Sequence, residues 1–167
     1  MDILFTRTSP GLSKTWEAMM KRLRELIAEF WIWTQLPIEL WDKIDISTLP
    51  SDSIGFPKIG EICDECISLV NCPLTPDEMD RFLLCMAIDS EDEDILEYCM
   101  DHARSDFLHS LISAGVAYPQ SHTRWQIAEL LRNDVPDRYC FLGSLLADPH
   151  PYVRKRAKNV MQELTDQ

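Results

Sequence analysis

Apolar residues recur at three- and four-residue steps along most of this chain, the spacing of helices that bury one side. Trp16, Met19, Met20, Leu23, Ile27, Phe30, Trp31 and Thr34 form the first such stripe, with Lys21, Arg22, Arg24 and Glu25 on the opposite side. The stripe predicts a long helix over 13–34, which Pro37 stops. Ahead of it, Ser9-Pro10-Gly11 reads as a turn, and 1–6 as a short strand or a tail without structure. Ile59, Ile62, Cys63, Cys66, Ile67 and Val70 form a second stripe and predict a helix over 58–71. Between the two, Pro37, Pro50, Pro57, Gly55 and Gly60 break the pattern, so a short helix near 38–44 and a loop over 47–57 are expected.

From Thr75 the punctuation sharpens. Thr75-Pro76-Asp77-Glu78 offers an N-cap, a proline at the first helical position and a glutamate to close a capping box. Phe82, Cys85, Met86 and Ile88 follow as the buried side. Ser90-Glu91-Asp92-Glu93 reads as a second capping box leading to Ile95, Leu96, Cys99 and Met100. So short a turn predicts antiparallel neighbours. The pairing recurs with Leu108, Leu111 and Ile112 against Trp125, Ala128 and Leu131 across a turn holding Gly115, Tyr118 and Pro119. It recurs again with Tyr139, Leu142, Leu145 and Leu146 against Val153, Ala157, Val160, Met161 and Leu164. Second helices begin near Glu91, Gln120 and Pro151, a period in the range of helical repeats.

Within the last pair, Leu145, Leu146, Asp148, Val153, Arg154 and Ala157 resemble the HEAT-repeat pattern, in particular the short repeats of the phycobilisome-lyase-like type. Two leucines end one helix, an aspartate and prolines make the turn, and Val-Arg with a later alanine opens the next. Asp148 can satisfy free amides at the following helix start, Ala157 allows close approach, and Arg154 can reach an aspartate in a neighbouring turn. Ala87-Ile88-Asp89 echoes Leu146-Ala147-Asp148, and Thr123-Arg124 with Leu131 lines up with Val153-Arg154 and Met161, although the middle repeat lacks the aspartate. The resemblance covers about half the chain. It implies an all-α fold in one domain over 1–167: antiparallel helix pairs stacked as a short α-solenoid over 73–167, with a divergent helical cap over 1–72.

Charge narrows the choice of partner. The net charge of −12 is concentrated: 39–106 hold four Lys/Arg and eighteen Asp/Glu, whereas 1–38 hold five and four, and 107–167 hold seven and six. A nucleic-acid partner is disfavoured, because phosphate binding needs a basic surface. A basic protein partner is favoured, because opposite charge steers encounter. No apolar run approaches the roughly 20 residues a membrane span needs. With no basic start followed by an apolar stretch, no secretory signal is read, and a cytoplasmic protein is expected.

Candidate chemistry adds little. Cys63-Asp64-Glu65-Cys66 has the spacing of half a zinc site, but no second pair follows, and both cysteines fit the apolar stripe as core residues. His102, His109, His122 and His150 show no i, i+4 pair, and the last two read as turn residues. No phosphate loop or nucleophile elbow is present. The expectation is therefore no catalytic residue, no cofactor and no metal. The acidic run of Asp89, Glu91, Asp92, Glu93 and Asp94, continued by Glu97 and Asp101, has two readings. It is a solvated helix start, where acids favour the dipole, or a docking face, since like charges at four-residue steps repel. Tyr118 joins these as a candidate interface aromatic, as do Trp41 and Trp125, which equally fit a core.

The functional expectation is a protein-binding module, foremost an immunity protein that binds and blocks a basic bacterial toxin domain such as a nuclease. The alternatives are a HEAT-type scaffold or adaptor in a larger complex and a HEAT-like lyase. A HEAT-like glycosylase is opposed by the acid-rich middle of the chain.

Overall fold

The structure, a computed structural model, describes residues 10–41, 43–49 and 55–166, with side chains from residue 15 onward. Its elements are α1 (Pro10–Trp33), α2 (Ile59–Leu69), α3 (Pro76–Ile88), α4 (Asp94–His102), α5 (Ser105–Gly115), α6 (Ser121–Leu130), α7 (Arg138–Leu146) and α8 (Pro151–Thr165). Two 3-10 turns, Ile38–Leu40 and Ile46–Thr48, lie between α1 and α2, and no strand forms among the described residues. The all-α expectation is met. The strand or tail expected at 1–6 and part of the expected loop, 50–54, lie outside the described residues.

Pro10 and Gly11, expected in a turn, already belong to the first turn of α1, where a proline's missing N–H has no intrahelical partner to lose. Of the predicted stripe of α1, Met20, Leu23, Phe30 and Trp31 are buried, and Trp16, Met19 and Ile27 pack at its margin; Leu26, outside the predicted stripe, is buried as well. Phe30 meets Phe56 edge-on with ring centres 5.8 Å apart, and Trp31 stacks on Trp41 at 6.0 Å. Trp41 is thus a core aromatic, and its indole N–H donates to the Leu36 carbonyl. The capping box at the start of α3 forms as read. Thr75 Oγ1 accepts from Glu78 N, and Glu78 Oε2 accepts from Thr75 N. Such a cap stabilises a helix by about 1 kcal/mol.

Every substantial contact between α-helices joins members no more than three apart along the chain. α1 packs on α2 and α3, α2 on α3 and α4, α3 on α5 and α6, α4 on α6, and α8 on α6 and α7. Contact between α3 and α4 is slight, so these two are not the close pair their short turn suggested.

Helix α6 occupies the middle. Ser121, Thr123 and every residue from Trp125 to Leu130 are buried. A helix enclosed on all sides loses its hydrophobic stripe and must satisfy its polar side chains internally. Thr123 Oγ1 donates to the Leu83 carbonyl at 2.7 Å and Gln126 Nε2 to the Met86 carbonyl at 2.6 Å. The α5 side approaches closely through Gly115, where an added Cβ would lie 2.5 Å from Ile127 Cδ1. On the far side, Ala157 and Val153 of α8 are fully buried where α8 lies against α6 and α7. That is the close approach expected of Ala157.

The start of α6 is held by a distant segment. Asp45 Oδ1 accepts from Ser47 N and its Oδ2 from Ser121 N, 76 residues away. The Gln120 side chain accepts from Ile46 N and donates to the Ile44 carbonyl. Burial alone would push the Asp45 carboxyl up, but the hydrogen bonds from Ser121 and Ser47 outweigh it and hold the group below its usual range.

Candidate functional site

The acidic run extends from the end of α3 across the α3–α4 turn onto α4, and the structure divides it. Glu91, Asp92, Asp94, Glu97 and Asp101 are exposed and Glu93 is half-buried, while Asp89 is buried at 1% exposure. Asp94, Glu97 and Asp101 follow one another along the solvent side of α4, and Ile95, Leu96 and Cys99 face inward, where α4 packs on α2 and α6. The exposed acids therefore form a ridge running from the α3–α4 turn down the outside of α4.

The second capping box is not the one the spacing suggested. Ser90 makes no cap bond, and α4 begins at Asp94 rather than Glu91. Glu93 adopts left-handed backbone at φ 61°, which brings the first turn of α4 back over the end of α3. The free amide of Ile95 then meets Asp89, whose Oδ2 accepts from it at 2.8 Å. Asp89 is thus a structural cap and leaves the set of residues a partner could touch.

Tyr118 lies apart from the acidic ridge. It is half-buried, and its hydroxyl donates to the Asp80 carbonyl near the start of α3. That point is nine residues from Asp89, roughly 13 Å along the helix. Trp125 is buried, with the Arg156 guanidinium over its ring at 4.9 Å.

Electrostatics sets the ridge apart. Several carboxylates elsewhere have cations: Glu29 faces Lys58 and Arg22, Glu61 faces Arg22, Asp148 faces Arg124, and Glu163 faces Arg132. Buried Glu129 faces both Arg132 and Arg156. Among the described residues, no ion pair reaches Glu91, Asp92, Glu93, Asp94, Glu97 or Asp101. The nearest cation in sequence, Arg104, turns instead to Asp106 and the Asn71 carbonyl.

Behind the turn lies a cleft of about 140 Å³, floored by Phe30, Phe56, Ile59 and Ile88 and rimmed by Ser90, Glu91, Asp92 and His122. The Ser90 hydroxyl and His122 Nδ1 are 2.6 Å apart. His122, read from sequence as a turn residue, stands in the first turn of α6, and burial holds its imidazole below the usual range. A serine beside a histidine is half of a nucleophilic constellation. Such chemistry also requires donors for a developing negative charge, and the carboxylates of Glu91 and Asp92 at the rim would repel one. The cleft suits the apolar stem and charged head of a basic side chain better than an oxyanion.

No family model, no curated protein and no solved structure matches this chain.

Arg154 Nη1 donates to the Asp148 and Pro149 carbonyls of its own turn, not to a carboxylate. Arg124 does the same at Tyr118 and Pro119, and it is Arg124 that reaches onward to the Asp148 carboxylate. Across the described helices, none is long and apolar enough to cross a membrane.

Proposed function

We propose that this chain is a protein-binding module that receives a basic protein partner on the α4 ridge, in the manner of an immunity protein neutralising a toxin domain. One observation carries the reading. Glu91, Asp92, Asp94, Glu97 and Asp101 stand exposed on one ridge without a cation, in a molecule whose other acids are so often paired. Uncompensated like charge costs stability and raises the rate of encounter with an oppositely charged surface. A nuclease domain, basic because it holds phosphates, is the partner class this charge fits best. A HEAT-like stack is the scaffold we propose beneath it, supported by the short-range helix packing and by the matching turn contacts of Arg124 and Arg154.

The test mixes the purified chain with basic toxin domains, nucleases first, and follows association by stopped flow across a salt series. Asp92→Lys/Glu97→Lys/Asp101→Lys should slow association at low salt by about tenfold or more and flatten its salt dependence. It should also abolish growth rescue when the pair is co-expressed. Unchanged kinetics in the triple variant would overturn the reading.

A second reading, an adaptor within a larger complex, is favoured by a separate patch. Ile32 and Ile38 are 67% and 65% exposed beside Trp33 and Leu40. Binding through that patch would be insensitive to salt and lost in Ile32→Asp/Ile38→Asp.

A further inference from the structure

Three carboxylates are buried among the described residues: Asp89, Glu129 and Asp148. Glu129 lies between Arg132 and Arg156. Asp148 accepts Arg124 Nε on one oxygen at 2.7 Å and Nη2 on the other at 3.1 Å. Asp89 has no cation.

Asp89 and Asp148 are otherwise alike. Each follows the end of one helix and accepts a backbone N–H at the start of the next, Ile95 N in one case and His150 N in the other. The counter-charge of Asp148 comes from the preceding even-numbered helix, α6. The corresponding neighbour of Asp89 on α2 is the thiol of Cys63. Asp89 Oδ1 is fully enclosed and makes no hydrogen bond that meets ordinary geometry. A carboxylate oxygen of Asp89 lies in a cluster with Cys63 Sγ and an Asp94 carboxylate oxygen, all within 4.8 Å of one another.

We propose that Cys63, Asp89 and Asp94 form a site for a divalent transition-metal ion of borderline softness, Zn²⁺ above all. One sulfur and two carboxylate oxygens are zinc donors, and tetrahedral geometry leaves a fourth position for water, on the side where Asp94 is exposed. The thiol disfavours Mg²⁺ and Ca²⁺, which prefer all-oxygen shells. Without metal the buried Cys63 keeps its proton, because burial and then the neighbouring Asp89 push the thiol up. Binding releases that proton to solvent as the sulfur–metal bond forms. The bound ion then occupies the place that Arg124 fills beside Asp148, and it ties α2 to the start of α4. The site shares only Asp94 with the docking ridge, whose charge rests mainly on Glu91, Asp92, Glu97 and Asp101, so Asp92→Lys/Glu97→Lys/Asp101→Lys tests docking and leaves the three ligands in place.

The experiment uses the full chain carrying Cys72→Ser and Cys140→Ser, so that the two accessible thiols cannot compete. It is titrated with Zn²⁺ while its melting temperature is followed, and with Co²⁺ while the sulfur-to-cobalt charge-transfer absorption is recorded. The expected result is one ion per chain, a rise in melting temperature and a thiolate–cobalt band. Asp94→Asn alters an exposed residue, so the fold should persist by circular dichroism while affinity falls at least tenfold. Cys63→Ser should remove the band. A band that survives Cys63→Ser, equal affinity in Asp94→Asn, or no melting shift with either ion would overturn the proposal.

Discussion

Replacing Arg124 by methionine tests whether the buried ion pair at the α7–α8 turn is as important as its geometry implies. The Arg124 and Asp148 side chains are 11% and 5% exposed, so neither is well screened by water. The guanidinium gives two bonds to the carboxylate and two more to the Tyr118 and Pro119 carbonyls. Methionine keeps much of the apolar stem and removes all four. Asp148 would then be a buried anion held by the His150 amide alone. Leaving one member of a buried pair without its partner costs about 3–5 kcal/mol. Against a typical total of about 5–15 kcal/mol, that is a large share of the stability. The melting temperature should fall on the order of 10 °C. Urea denaturation measures the loss, and a double-mutant cycle assigns it. Asp148→Asn keeps an acceptor for the His150 amide but removes the charge, so Arg124→Met/Asp148→Asn should recover about 2 kcal/mol relative to additive losses. A loss under about 1 kcal/mol in Arg124→Met, or strict additivity in the cycle, would refute the assignment.

Other expectations are equally direct. Gly115→Ala should destabilise by about 1–3 kcal/mol, because the new methyl meets Ile127 atoms at 2.5 and 2.6 Å. Gly143→Ala, with nothing within 4 Å, should stabilise α7 by about 0.5–1 kcal/mol in the same urea assay. Burial holds the His122 imidazole below its ordinary range, so the unfolded chain binds the proton more readily. Its contribution is complete above pH 6.5 and is lost as pH falls through the unfolded value towards the depressed folded one. His122→Gln should therefore lose less stability than the parent chain between pH 7.5 and 5.5, read as the shift in urea midpoint. Ellman's reagent should titrate exposed Cys140 quickly and half-buried Cys72 slowly in the native chain. Cys63, Cys66, Cys85 and Cys99 are buried and should react only after denaturation, so a third fast thiol would contradict the core packing.

Local signals transferred well from sequence to structure, and long-range ones did not. The stripe of α1, the Thr75–Glu78 capping box and the proline opening α8 depend on neighbours within one or two turns, and all three are found. The second capping box failed because its outcome depends on Glu93 adopting left-handed backbone, which side-chain spacing does not reveal. The clamp on α6 by Asp45 and Gln120 joins residues more than 70 positions apart, beyond any periodic signal. Within the acidic run, composition identified the ridge but could not separate Asp89 from its neighbours. Only the fold, which sets Asp89 between Cys63 of α2 and the Ile95 amide of α4, turns that one residue inward. His122 reads as a turn residue from sequence, whereas Ser121, His122 and Thr123 open a buried helix and bond to its surroundings.

Helix α6 has a consequence for how the molecule comes apart. A linear array with independent interfaces can fray from either end while its middle persists. Here α3, α4, α5, α7, α8 and the 3-10 turn at Ile46–Thr48 all rest on the same ten residues, so the loss of any neighbour wets the one helix the others share. Amide hydrogens along α6 should exchange with deuterated solvent only through global opening, and at nearly one common rate.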